Sequence, residues 1–64
     1  MKGEEGHNTG RATRAAIRGA QRRGATLAEI GQRSNRAEST IQNILDGSIA
    51  NPPYGLAATI RKIG

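Results

Sequence analysis

The sequence contains no cysteine, phenylalanine or tryptophan, and only one tyrosine and one histidine. Without thiols there are no disulfide staples, thiolate metal sites or cysteine nucleophiles. The lone imidazole, His7, stands in MKGEEGHNTG, a polar stretch with no hydrophobic periodicity. It has neither the neighbours that hold a catalytic base nor the companions of a metal-ligand set, and reads as a solvated tail residue. No G-x-x-x-x-G-K-[ST] or G-x-G-x-x-G occurs, and no strand-like alternation exists to carry one. No apolar run approaches the roughly 18 to 20 residues that cross a bilayer, and the start lacks the apolar block of a signal peptide. Acidic residues are few: five against ten basic, for a net charge of +5 and a pI near 11.2. These absences leave no constellation for an enzyme and no demand for a metal or cofactor. A cytoplasmic binding protein with a phosphate polyanion for a partner is the expectation.

The 64 residues allow one domain. Its large aliphatic side chains are seven Ile and three Leu, the remaining apolar content being mostly ten Ala. Full burial of each large side chain contributes roughly 1.5 to 3 kcal/mol before conformational entropy is subtracted, so a lone chain is expected to be marginal and to gain from a partner surface. Residues 1–10 hold three Gly, two Glu and no large aliphatic beyond Met1, the composition of a flexible arm. The domain then occupies residues 11–64, with nine basic and three acidic residues, a net +6.

Hydrophobic spacing and punctuation predict a small all-α fold of four, or at most five, helices. The first covers about residues 11–23 and ends at Gly24. At 100° per residue Arg11, Arg14, Arg18 and Arg22 form one stripe, and Thr13, Ala16, Ile17 and Ala20 lie roughly opposite. No acid in this segment neutralises the stripe, which favours phosphate contact over an ordinary solvated face. The second helix opens at Thr26, because Thr26-x-x-Glu29 is a capping box, and buries Leu27 and Ile30. The third spans about residues 37–45 and stops at Asp46-Gly47, with Ala37, Ile41, Ile44 and Leu45 inward. Asn35 is a possible cap for it, with Glu38 three residues on. Ile49 in the following linker is expected to reach the core. Asn51-Pro52-Pro53 punctuates the start of a fourth helix, about residues 53–63, which buries Leu56, Ile60 and Ile63 and carries Arg61 and Lys62 in its last turn.

Leu27 to Asp46 form a 20-residue unit of two short helices. Such a unit needs apolar anchors, here Ile30, Ile41 and Ile44; a small residue where the helices cross, Gly31; and a turn residue that accepts positive φ, Asn35. LAEIGQRSNRAESTIQNILDG, followed by NPP and a last amphipathic helix, resembles the helix-turn-helix of Cro and phage-repressor-like (lambda-repressor-like) DNA-binding proteins. The likeness covers about residues 26–63. It departs from the family pattern at Asn35, where Gly is commonest, at Arg36, usually apolar, and at Ala37, often Ser or Thr.

The resemblance implies that the second helix of the unit enters the major groove and presents Glu38, Ser39, Gln42 and Asn43 to base edges. Their chemistry suits base reading, since amides pair with adenine, Ser39 serves as donor or acceptor, and Glu38 accepts from the cytosine amino group. The groups flanking that helix are the phosphate candidates: Arg14 and Arg18, Thr26 and Leu27 at a helix start, Arg33, Arg36 and, more weakly, Ser48 and Asn51. Asp46 is a helix-end residue, since phosphates repel its carboxylate. A homodimer is expected from the thin core and from a chain that stops after the fourth helix where family members often continue. Tyr54, Leu56, Ile60 and Ile63 would pair across a two-fold axis. The implied function is a nucleoid-associated regulator, a repressor occupying a palindromic operator on double-stranded DNA. Two other readings are an RNA-binding protein that uses the Arg-rich first helix, and an antitoxin-type regulator of the same fold that also grips a partner protein.

Overall fold

The computed structural model describes residues 10–53 and 55–63, so the expected arm over residues 1–9, with His7, and the pairing role of Tyr54 lie outside the described residues. Four helices follow one another: α1 (Gly10–Arg22), α2 (Leu27–Arg33), α3 (Glu38–Asp46) and α4 (Leu56–Arg61). There is no strand among the described residues, and the fold is all-α. No helix among them is long and apolar enough to cross a membrane.

α1 is amphipathic as its spacing requires. Thr13, Ala16, Ile17 and Ala20 are buried, whereas Arg11, Arg18 and Arg22 are exposed and Arg14 is half-buried. Gly10 is also helical and buried, so the first helix starts one residue inside the expected arm. The chain leaves α1 through paired bonds: Gly24 N–H donates to the Gln21 carbonyl at 2.9 Å and Ala25 N–H to that of Ala20 at 3.0 Å. This is the Schellman pattern, and its usual apolar contact is supplied by Ala20 and Ala25, both buried.

α2 begins as its cap predicts, the Thr26 hydroxyl accepting from Glu29 N–H at 3.1 Å. Glu29 turns toward Arg33, 3.5 Å away, instead of returning to Thr26 to complete the box. Leu27 is only half-buried; Ile30 is the anchor. A second Schellman pattern closes α2, with Asn35 N–H on the Gln32 carbonyl at 3.2 Å and Arg36 N–H on that of Gly31 at 2.7 Å. The Ser34 hydroxyl adds a 2.7 Å bond to the Ile30 carbonyl. Asn35 sits at φ 61°, the one described non-glycine residue in the left-handed region. It is the turn residue and not the cap of α3, whose N-cap position is Ala37, without a side-chain bond. Asn35→Gly is expected to change stability by less than about 0.5 kcal/mol, whereas Asn35→Val loses about 1 to 2 kcal/mol because a branched side chain is strained at positive φ. Thermal melts of the two variants check this.

α4 starts three residues later than the prolines suggest. Pro53 accepts from Leu56 N–H at 3.1 Å in a turn, and Gly55, at φ 88°, reverses the chain into the helix. Pro52 is buried and Pro53 exposed, both ahead of the first helical turn, and the N-cap is Gly55, not Asn51.

The core is made of Ala16, Ile17, Ala20 and Ala25, then Ile30, Ile41 and Ile44, and finally Leu56, Ala57, Ile60 and Ile63, with Leu27, Leu45 and Ile49 packed against it. α1 lies chiefly on α4, and α2 on α3. All ten large aliphatic side chains are thus used within one chain.

Candidate nucleic-acid interface

α3 positions the candidate site. Ile41 and Ile44, both fully buried, pin its inner side, and helical geometry then turns Glu38, Ser39, Gln42 and Asn43 outward. All four are exposed, and none of their side chains bonds to another described residue. Glu38 in the first turn is favourably placed against the positive end of the helix, which otherwise lacks a side-chain cap. The four residues assigned to base reading therefore form one continuous polar surface with unspent donors and acceptors.

The orientation of that surface depends on the α2–α3 crossing. A Cβ on Gly31 would lie 2.7 Å from the Arg36 carbonyl oxygen and 3.2 Å from Glu38 N. The start of α3 rests directly on the backbone of α2, a contact open only to glycine. The Arg36 side chain, which occupies a usually apolar position, lies in solvent; its backbone makes the contact.

The flanking phosphate candidates separate into distinct groups. Arg33 and Arg36 are exposed at the end of α2 and in the turn that leads into α3, and Arg33 also lines an open depression with Arg23, Gly24, Ala25 and Glu29. Arg33 is held only by the exposed pair with Glu29, of a kind that contributes about 0 to 1 kcal/mol and yields readily to a phosphate. Thr26 and Leu27 start a helix of seven residues, and the Thr26 hydroxyl is already occupied by Glu29 N–H. Ser48 is poorly suited. Its N–H donates to Asp46 Oδ1 at 2.9 Å, and this bond, with a further one from its side chain, holds the Asp46 carboxyl below its ordinary range. A negative charge is thereby held beside Ser48. Asn51 is exposed in the linker.

Arg14 and Arg18 stand on the outer face of α1, whose inner face shares one core with α3. A Cβ on Gly10 would lie 2.9 Å from an Arg14 terminal nitrogen and 3.0 Å from the Ala50 carbonyl oxygen, so the start of α1 borders the linker that follows α3. The open depression lined by Arg23, Gly24, Ala25, Glu29 and Arg33 places one carboxylate among guanidinium groups, with no nucleophile or base beside it.

The apolar side of α4 differs most from expectation. Leu56, Ile60 and Ile63 are 4%, 0% and 4% exposed within the single chain. They cannot also pair across a two-fold axis, because the scarcity of large aliphatics that argued for a partner draws every one of them into the chain's own core.

One contributor was not singled out in the sequence. Arg23 reaches from the end of α1 to the end of α4, donating from Nε to the Ile63 carbonyl at 2.9 Å and from one terminal nitrogen to those of Ile63 and Arg61 at 2.6 and 3.1 Å. These are carbonyls that a helix C-terminus leaves without internal partners. The available signal was that Arg23 follows the stripe Arg11, Arg14, Arg18, Arg22 but falls off its face. No protein-family model, curated protein or solved structure matches this chain.

Proposed function

We propose that this protein binds double-stranded DNA in a sequence-dependent manner, with α3 in the major groove, and acts as a transcriptional regulator of the Cro and phage-repressor type. The observation that carries the reading is the outward face of α3. Four exposed side chains with free hydrogen-bonding capacity stand on a helix fixed to α2 by a glycine crossing, with Arg33 and Arg36 exposed in the segment that leads into it. Amide and hydroxyl groups read base edges, and flanking guanidinium groups hold phosphates in register. The net charge of +5 supplies the long-range attraction. Such a protein works at the nucleoid, inside the cell. Recognition of an inverted repeat by two copies, their α3 helices roughly 34 to 36 Å apart, belongs to the same proposal and rests on the resemblance alone. Any pairing uses a surface other than the apolar side of α4.

Gln42→Ala and Asn43→Ala are each expected to cost roughly 1 to 3 kcal/mol of binding and to relax preference at one position of the site. Binding to a panel of single-position variants of the preferred duplex measures this. If both substitutions left the rank order of those duplexes unchanged, α3 would not be reading bases.

A further inference from the structure

The four arginines on the outer face of α1 are left over once α3 and its flanking groups have been assigned. Arg11, Arg14, Arg18 and Arg22 fall within an arc of about 80° and extend over roughly 16 Å of helix. The fifth arginine of the segment, Arg23, is committed to the end of α4 and takes no part. α1 contains no acid, and among the described residues the only salt bridge is Arg33 with Glu29, so no described carboxylate answers the stripe. Arg11 stands in the first turn of α1, where the helix dipole disfavours a cation, and Arg22 in the last, where it favours one. Like charges three and four residues apart on one helix face repel each other, and an anion relieves that repulsion.

We propose that this face is a second nucleic-acid surface, separate from α3, which holds the phosphate backbone of another stretch of duplex DNA without reading its sequence. The proposal rests on the reading of α3 as a DNA-binding helix. A regular row of guanidinium groups about 16 Å long spans the rise of roughly five phosphates along one strand. The sequence holds a single aromatic residue, Tyr54, too few for a platform on which the unstacked bases of a structured RNA would lie. An anionic membrane is disfavoured because a helix that lies in the interface immerses its apolar face, and Ala16, Ile17 and Ala20 are buried in the core instead. α1 and α3 each bury their apolar side in the one core and carry these polar faces outward, so the two rows of side chains belong to different helix surfaces.

The test immobilises a duplex carrying the preferred site and measures protein-dependent capture of a second, labelled duplex of random sequence. Arg11→Gln/Arg18→Gln/Arg22→Gln alters only exposed side chains and keeps good helix formers, and its thermal melt verifies folding. At about 0.15 M salt, where long-range attraction is largely screened, the triple variant is expected to hold the first duplex within about twofold of the unsubstituted protein, as independent sites require. It is expected to capture on the order of tenfold less of the second, and the salt slope for random duplex falls by about 3. Undiminished capture, or equal loss of both duplexes, overturns the proposal. So does displacement of the second duplex by hairpin RNA or by anionic phospholipid vesicles at a lower phosphate concentration than duplex DNA requires. Failure of the α3 reading is seen separately, as unchanged sequence preference in Gln42→Ala/Asn43→Ala, and the salt slope of the arginine variant then still decides the role of α1.

Discussion

Gly31→Ala is expected to lower stability by about 2 kcal/mol, and Gly31→Val by more. A mid-helix Gly→Ala change in open space stabilises by up to about 1 kcal/mol, because alanine loses less backbone entropy on folding. Here the sign reverses. The new methyl would meet the Arg36 carbonyl oxygen at 2.7 Å, and behind that oxygen is the backbone entering α3, not the mobile end of a side chain. Either α3 tilts away or the bond from Arg36 N–H to the Gly31 carbonyl lengthens from 2.7 Å, and both loosen the packing of Ile30 against Ile41 and Ile44. For a domain of this size the loss corresponds to a fall in melting temperature of roughly 8 to 16 °C. Because the same crossing aims the outer face of α3, the variant is also expected to lose sequence preference at temperatures where it is still folded. An unchanged or higher melting temperature would show that α2 and α3 do not meet at Gly31.

The second large effect is expected at Arg23. α4 has six residues, too few to be stable alone, and its anchors Leu56, Ala57 and Ile60 all lie on its inner side. Its last carbonyls are satisfied by the Arg23 guanidinium, a cation at the negative end of the helix dipole. Arg23→Ala removes charge-assisted bonds at a partly exposed site and is expected to cost about 1 to 2 kcal/mol, or roughly 5 to 15 °C in melting temperature. Lys places a single ammonium where a forked guanidinium served several carbonyls, so Arg23→Lys recovers only part of the loss. Arg22→Ala, one residue earlier on the exposed stripe, serves as the control and is expected to leave the melt almost unchanged. Equal effects at positions 22 and 23 would contradict the clamp.

These two residues also mark where the sequence was and was not legible. Gly31 could be identified because a crossing of two short helices demands a small residue at a fixed distance from a left-handed turn residue, and Asn35 stands at that distance. The inner faces of α1 and α3 were legible for a similar reason, since period and burial are two views of one constraint. Arg23 was hidden because its partners are backbone carbonyls 37 to 40 residues away, which leave no mark in residue type. Reading Pro53 as a first-turn residue predicts a start for α4 three residues earlier than Leu56, where it begins. Proline suits a turn equally well, and Gly55 makes that turn. Leu56, Ile60 and Ile63 form the apolar stripe that their spacing predicts, and the chain's own core covers it. A helical period says that a face is covered, not whether the cover comes from the same chain. The same limit applied to Arg14 and Arg18. Their stripe was visible, while the direction it faces relative to α3 depends on how α1 docks on the core.

Sequence reading by α3 is tested most directly by selecting bound sites from a pool of random duplex DNA and sequencing them after successive rounds. Enrichment of one short motif, readable in the major groove, is expected, with loss of preference at individual positions of that motif when Gln42 or Asn43 is replaced by alanine. A protein that binds the pool tightly yet enriches no motif would contradict the proposed function. Its charge would then hold DNA, and the outer face of α3 would read nothing.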